Sequence, residues 1–197
     1  METFTSWRTW DEARPELTGL PAADLAVVER AVIAARRWHG DQLRPTGVPY
    51  LEHLLEALEV LVRGAGVTSP DLLAAVVLHD VVEDTAATAR DVEDEFGPVV
   101  AELVDWVTKP PAAGEGRQAK RAAKSAYLRR LGEAPREAKV VKLADRVSNV
   151  QRLHQMPPDF QRRYYAETIT YVLPLAAAEP WFENWYREWR AEYAHLL

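Results

Sequence analysis

The sequence of 197 residues contains no cysteine, and this absence removes several classes of protein from consideration. A chain without cysteine has neither a disulfide framework nor a thiolate metal site. No apolar run approaches the roughly 20 residues that span a bilayer, and residues 1–3 do not begin a signal peptide. The formal net charge of -6 argues against a general nucleic-acid-binding protein. We therefore expect a cytoplasmic protein that binds neither membranes nor nucleic acids.

Sustained alternation of apolar and polar residues is also missing, which favours an all-α fold over one with strands. The hydrophobic fraction of 48% and the charged fraction of 27% are ordinary for a soluble globular protein. The length fits one compact domain, residues 1–197, built from about eight to ten helices. Helix signals cover residues 21–38, 50–63, 70–82, 88–96, 98–108, 118–131, 135–153, 160–177 and 181–193.

A histidine and three acids follow directly after the apolar run 72–78. His79 and Glu83 are four positions apart, and so are Asp80 and Asp84. On one continuous helix each pair would lie one turn apart. Three acids beside a core helix are costly to bury without partners. A divalent cation is the simplest such partner, and the cluster therefore predicts a metal site.

Two further segments supply ligands for such a cation. His53 begins an apolar helix, and Asp145 lies in the interior of another. Together with His79 and Asp80 they form a set of two imidazoles and two carboxylates. That set suits manganese, iron, zinc or cobalt better than calcium. So few protein ligands leave coordination positions open for water and substrate, which is typical of a catalytic site.

Three motifs in a fixed order carry a resemblance to a known family. They are H-x(13)-H ending at His53, H-D-x-x-E-D beginning at His79, and K-L-A-D-R-x-x-N ending at Asn149. This set resembles the HD-domain alarmone hydrolases of the RelA/SpoT type, most of all their stand-alone small hydrolases, over about residues 31–149. The family usually has proline after the first metal-binding histidine, where this chain has Leu54. That difference affects the first helical turn more than the chemistry.

The resemblance implies an HD-domain helical bundle and a metal-dependent hydrolase. It assigns the metal to the four-residue set above, with manganese as the preferred ion. Glu83 and Asp84 are then available to orient and deprotonate the attacking water. The implied reaction removes the 3′-pyrophosphate of guanosine alarmones, so that ppGpp and pppGpp yield GDP and GTP plus pyrophosphate. This is the degradative reaction of the stringent response.

Two alternatives to this function stay open. The same fold could act on another phosphorylated nucleotide, such as an adenosine alarmone or the 2′-phosphate of NADPH. Arg44, which the resemblance implies stacks on the base, would tolerate either purine. A non-catalytic nucleotide-sensing module is the second alternative. The intact pair of Glu83 and Asp84 argues against it, because sensing alone does not require a water-activating acid.

Residues around the motifs are candidates for binding the nucleotide. In the family, the arginine that matches Arg44 stacks on the purine, as a planar guanidinium permits. Asn149 would bind the ribose or orient a ligand. The family's arginine and tyrosine for the 5′ side of the substrate are not matched at their usual spacing, although residues 161–165 contain both residue types. The candidate substrate-binding residues are Arg44, Asn149, Tyr165 and, for phosphate oxygens, Lys120, Lys124, Lys142 and Arg146.

An aromatic stripe marks the last predicted helix, about residues 181–193. Trp181, Trp185 and Trp189 recur every four positions, which places them on one side of a helix. We expect this stripe to pack on the domain core. A homodimer contact is the alternative, because aromatic residues are enriched at interfaces, so the protein is expected to be a monomer or a homodimer. Acidic residues on the opposite face argue against binding to a membrane surface.

Overall fold

The computed structural model describes residues 1–196, and within that range it contains ten α-helices and no β-strand. The all-α prediction of about eight to ten helices is therefore confirmed. None of the described helices is both long enough and apolar enough to cross a membrane. The helices are α1 Trp10–Ala13, α2 Ala22–His39, α3 Tyr50–Glu59, α4 Pro70–Leu78, α5 Val81–Asp84, α6 Ala89–Val107, α7 Arg117–Arg130, α8 Arg136–Val150, α9 Pro158–Glu167 and α10 Pro180–Glu192.

Helix α4 is the centre of the bundle. Residues 72–78 are all buried, and the helix packs against α2, α3, α6 and α8. A helix that is apolar on every side is stable only when other elements surround it. Two of the surrounding helices bring polar residues to the carboxyl end of α4, His53 from α3 and Asp145 from α8.

The prediction of one helix over residues 70–82 was wrong at its end. Helix α4 stops at Leu78, and a separate short helix, α5, begins at Val81. Asp80 lies between them with φ -105° and ψ -3°, outside regular helical geometry. His79 and Glu83 therefore do not stand one turn apart on a regular helix, because the break changes the direction of the backbone between them.

Helix α6 follows its sequence signals closely. Thr88 and Asp91 form the predicted capping box: the Thr88 hydroxyl accepts from the Asp91 N–H at 3.2 Å, and the Asp91 carboxylate accepts from the Thr88 N–H at 2.7 Å. Gly97 has φ 84°, so the helical backbone is interrupted there, where the sequence predicts the boundary between two helices.

The aromatic stripe of α10 packs on the core, as predicted. Phe182, Tyr186 and Trp189 are fully buried. The Tyr186 hydroxyl donates to the Leu143 carbonyl at 2.9 Å, and Nε1 of Trp189 donates to the Val150 carbonyl at 3.0 Å. Both acceptors belong to α8, so α10 supports the helix that carries Asp145. The oligomeric state stays a prediction.

The amino-terminal segment also packs on the bundle, which the sequence patterns did not predict. Phe4 and Trp7 are each 1% exposed. The side-chain amide of Gln151 pairs with the Phe4 backbone in both directions, at 2.6 and 2.9 Å. The buried Glu59 carboxylate accepts from the Trp7 N–H at 3.2 Å. These contacts tie the segment to α3 and to the end of α8.

Trp189→Ala should lower the free energy of unfolding by about 3–5 kcal/mol, because it opens a cavity in the core and leaves the Val150 carbonyl without its donor. Chemical denaturation followed by circular dichroism measures this loss. Arg190→Ala is the control, because that side chain is exposed on the same helix. Equal midpoints for the two variants would contradict the role of α10 in supporting α8.

Candidate active site

The structure brings together the four side chains that the sequence predicts as metal ligands. Nε2 of His53 lies 3.5 Å from Oδ2 of Asp80 and 3.4 Å from Oδ1 of Asp145. Nε2 of His79 lies 3.1 Å and 3.4 Å from the same two oxygens. His53 comes from α3, the adjacent pair from the end of α4, and Asp145 from the middle of α8. Their assignment as ligands stays a prediction, and the geometry supports it.

Hydrogen bonds fix the ring orientation of both histidines. Nδ1 of His79 lies 2.7 Å from the Val76 carbonyl, which only accepts, so Nδ1 is the protonated nitrogen of that contact. Nδ1 of His53 lies 2.8 Å from the Ser148 hydroxyl. That hydroxyl donates its hydrogen to Glu56 at 2.6 Å, so it must accept from His53. In both rings Nε2 is the atom directed at the carboxylates.

The charges in this cluster shift the pKa values of its members. Burial would lower the pKa of His79, but the Asp80 and Asp145 carboxylates together outweigh it and raise the pKa to about 10. Burial would raise the pKa of Asp145, but the Lys142 ammonium and the histidines bring it well below its usual range. The pKa of Asp80 is likewise held well below normal by His79, against the effect of burial. Both carboxylates are therefore ionised at neutral pH, and a proton and a cation compete for His79.

The donor atoms of His53, His79 and Asp80 lie within 4.8 Å of one another, as the ligands of one small divalent cation would. Two atoms bound to one ion at about 2.1 Å lie about 3.0 Å apart in an octahedral arrangement and about 3.4 Å apart in a tetrahedral one. The four nitrogen–oxygen distances in the cluster are 3.1, 3.4, 3.4 and 3.5 Å. Nε2 of His79 is also a buried atom with no hydrogen-bond partner among the described residues. A nitrogen and oxygen set without sulfur is typical of a divalent transition-metal site.

Tyr50 connects this cluster to Asp84. Its hydroxyl lies 2.5 Å from Oδ2 of Asp80 and 2.8 Å from Oδ2 of Asp84. Burial and the Asp80 charge raise the pKa of Tyr50, so the hydroxyl keeps its proton and remains a donor. The His39 ring stacks on Tyr50, with centroids 4.4 Å apart and planes at 13°. Tyr50 thus links Asp84, the last residue of α5, to Asp80 of the metal-binding cluster.

Glu83 is held by Lys109, a residue that the sequence analysis did not single out. The Lys109 backbone N–H donates to Oε2 of Glu83 at 3.0 Å, and its ammonium pairs with Oε1. Lys109 follows the end of α6 and begins the loop with two prolines and two glycines. No local sequence pattern identifies Lys109, because its contact with Glu83 depends on how α6 packs against α5.

A cavity of about 500 Å³ opens over these groups and contains most of the predicted substrate-binding residues. Arg44 reaches it from the loop between α2 and α3, and its Nη2 donates to Oδ1 of Asn149 at 2.7 Å. Nδ2 of Asn149 donates in turn to Oδ1 of Asp145 at 2.6 Å. Asn149 therefore orients both the arginine and the carboxylate. Among the described contacts, Arg44 pairs with Glu56 of α3 at 3.8 Å and not with Asp41, an acid of its own loop.

Three basic side chains that line the cavity are paired with acids. Lys142 contacts Oδ2 of Asp145 at 2.6 Å, and this charge raises the pKa of Lys142 against the effect of burial. Arg146 contacts Glu167 at 2.7 Å, and Lys124 contacts the same carboxylate at 2.5 Å. Lys142 and Arg146 are only 13% and 6% exposed, whereas Lys124 is 43% exposed. Lys124 therefore has the most exposed side chain of the three and is the most accessible to a phosphate group.

Two predicted substrate-binding residues do not line this cavity. Lys120 is exposed on α7, one turn before Lys124. Tyr165 is 1% exposed and stacks on Trp189 in the core, with ring centroids 5.3 Å apart. Tyr164 lines the cavity instead, with the Arg146 guanidinium 5.1 Å from its ring. Adjacent residues on a helix point about 100° apart, so only one of the two tyrosines can face the cavity.

Comparison with known proteins gives the same family as these motifs. The family model described as HD domain matches residues 31–180. The bifunctional (p)ppGpp synthase/hydrolase SpoT of Escherichia coli K12 is 35% identical over 81% of this chain and 22% of its own length. A probable GTP pyrophosphokinase of Mycobacterium leprae is 37% identical over 79% of this chain and 19% of its own length. The chain thus spans about a fifth of the length of these relatives.

A solved structure resembles the whole fold. It is a metazoan ortholog of SpoT described as hydrolysing ppGpp and acting in starvation responses. It is 29% identical, has a TM-score of 0.75, and the match covers 87% of this chain and 97% of that chain. The match to the HD-domain model spans all four predicted metal ligands, both predicted catalytic acids and Arg44. The chain therefore belongs to the HD-domain family, and its relatives there are of the RelA/SpoT type.

Proposed function

We propose that this protein is a metal-dependent phosphohydrolase that removes the 3′-pyrophosphate of guanosine alarmones. The observation that carries the proposal is the meeting of His53, His79, Asp80 and Asp145 beside Glu83 and Asp84, with all of these side chains except the buried His79 lining one open cavity. The metazoan ortholog of SpoT, described as hydrolysing ppGpp, is similar over 97% of its length and supports the choice of substrate. The products would be GDP or GTP and pyrophosphate.

The four residues would hold a divalent cation, and manganese is the proposed ion. When bound, such a cation supplies Lewis acidity, which lowers the pKa of a water molecule towards neutrality and offsets phosphate charge. The protein's own contribution is orientation. Val76 and Ser148 hold the two imidazoles, and Asn149 and Lys142 hold the two oxygens of Asp145.

Glu83 is the proposed general base for the attacking water. Its carboxylate is 25% exposed at the cavity, and the Lys109 N–H holds one of its oxygens in place. Asp84 is oriented by the Tyr50 hydroxyl and would accept a hydrogen bond from the same water. A phosphate group entering the cavity would attract the Lys109 ammonium, which is 40% exposed. That movement would free the second oxygen of Glu83 to receive a proton.

Product analysis tests the proposal directly. The purified protein with manganese should convert ppGpp to GDP and pyrophosphate, resolved by anion-exchange chromatography. The panel should include pppGpp, an adenosine alarmone and NADPH, because Arg44 can stack on either purine. Turnover of NADPH alone, or of no nucleotide in the panel, would contradict the proposed substrate. Binding of ppGpp without turnover would instead support a sensing module.

Arg44→Ala should weaken the binding of every purine alarmone and leave the metal content unchanged. Stacking on a base is worth roughly 1–3 kcal/mol, and a guanidinium should contribute towards the low end of that range. The expected loss of affinity is therefore about fivefold to tenfold. Isothermal titration measures it in a Glu83→Gln background, which should hydrolyse the nucleotide slowly.

Arg44→Lys separates stacking from charge. An ammonium has no plane to stack on, so lysine should restore little of the lost affinity. It also lacks the second donor with which Arg44 contacts both Asn149 and Glu56. Near-normal affinity of the lysine variant would show that this position supplies charge rather than a stacking surface.

A further inference from the structure

Glu56 is a buried carboxylate that the proposed chemistry does not use. It is 6% exposed and lies on α3, three residues after His53. Burying a charge without partners is costly, so its contacts indicate what it does. Two sets of contacts lead towards the metal-binding cluster and towards Arg44. A third and longer contact, at 3.5 Å, comes from the Gln151 amide, which also binds the Phe4 backbone.

The first direction is a relay to His53. Oε2 of Glu56 accepts from the Ser148 hydroxyl at 2.6 Å, and that hydroxyl lies 2.8 Å from Nδ1 of His53. A carboxylate cannot donate, so the serine must accept from His53. Nδ1 of His53 is therefore protonated and Nε2 presents its lone pair to the cluster, as a metal ligand requires.

The second direction leads to the nucleotide side of the site. Nη1 of Arg44 lies 3.8 Å from Oε2 of Glu56, and Nη2 of Arg152 donates to Oε1 at 2.8 Å. A second, smaller cavity of about 340 Å³ adjoins the first at Arg44 and Asn149, and Glu56 lines it. The carboxylate therefore forms an ion pair with the guanidinium that is proposed to stack on the purine, and it shares its charge with Arg152.

We propose that Glu56 is a positioning residue that orients the metal ligand His53 through Ser148 and the purine-binding Arg44 through an ion pair. One buried carboxylate thus orients a residue of the metal-binding cluster and the purine-binding arginine together. Glu56 touches neither the metal-binding cluster nor the larger cavity, so it acts only through its neighbours. The role of the ion pair with Arg44, called here the arm towards Arg44, rests on the proposed function. The role of the relay through Ser148, the arm towards His53, depends only on metal binding.

The test uses three variants of the full chain and two binding measurements. Manganese chloride is titrated into metal-free protein, and GDP is titrated separately without added metal, so that neither measurement depends on the other. Glu56→Ala should weaken manganese binding roughly 10–100-fold, the usual effect of removing such a supporting group. It should also weaken GDP binding about fivefold, as for a partly buried ion pair.

The other two variants separate the arms. Ser148→Ala removes the relay but not the ion pair, so it should weaken manganese binding similarly and leave GDP binding unchanged. Glu52→Ala is the matched control, because Glu52 lies on the same helix and lines the same small cavity, and its side chain has no described hydrogen bond or ion pair. Both affinities should then equal those of the unmodified protein.

Several outcomes would overturn the proposal. Manganese affinity within twofold of normal in folded Ser148→Ala rejects the relay, and this holds even if Glu56→Ala does not fold. Equal losses in Glu52→Ala and Glu56→Ala reject a specific role for Glu56. If the unmodified protein does not bind GDP at all, the proposed substrate fails, while the manganese titrations still decide the arm towards His53.

Discussion

His79→Ala and Asp80→Ala should each yield a folded protein that lacks stoichiometric metal and has lost hydrolysis by about 1,000-fold or more. The two donor atoms lie 3.1 Å apart at the centre of the cluster, and a bound metal contributes several kcal/mol to transition-state stabilisation. Metal content measured by mass spectrometry and release of pyrophosphate provide the two readouts.

Asp71→Ala is the control for this pair, because Asp71 is an acid in the first turn of the same helix, at the opposite end from the cluster. It should keep both metal and activity. The metal assignment would be rejected if the unmodified protein kept full activity after exhaustive chelation, or if either cluster variant still bound the metal at full occupancy.

Glu83→Gln should lower kcat by about 100-fold or more while metal content and nucleotide affinity stay normal. An amide cannot take a proton from water, which is the loss expected for a general base. The glutamine oxygen can still accept from the Lys109 N–H, so the loop at the end of α6 should stay in place. Single-turnover kinetics with ppGpp, together with a metal assay, measures the effect.

The control for this substitution is Glu102→Gln, an exposed acid on α6. A kcat unchanged in Glu83→Gln would mean that the pair with Lys109 is structural and that Asp84 or another group receives the proton. Loss of the metal would instead make Glu83 a ligand, and the division of roles between Asp80 and Glu83 would be wrong.

Several parts of this site are readable from sequence, and each depends on local chemistry. Apolar runs separated by proline and glycine place the helices, because helix boundaries depend on nearby residues. The order of three motifs then selects His53, His79, Asp80 and Asp145 from all the acids and histidines of the chain. The structure brings those four side chains together, although their binding of a metal stays a prediction.

Other parts required the folded chain. The predicted helix over 70–82 ends early, at Leu78, and the Tyr50 hydroxyl bridges Asp80 and Asp84. Sequence alone does not show this, because the bridging residue comes from a different helix. The choice between Tyr164 and Tyr165 depends on the rotation of α9 against α10, which residue types in 161–165 cannot specify.

The sequence by itself determined the all-α class, the position of most helices, and the candidate residues for metal binding and water activation. Only the tertiary structure decided which partners orient these residues. Lys109 binds Glu83, which lies 26 residues away, and Glu56 binds Ser148, which lies 92 residues away. The physical reason is the range of the forces involved. Helix propensity and capping act within a few residues, whereas buried ion pairs and relays depend on how whole helices pack against one another.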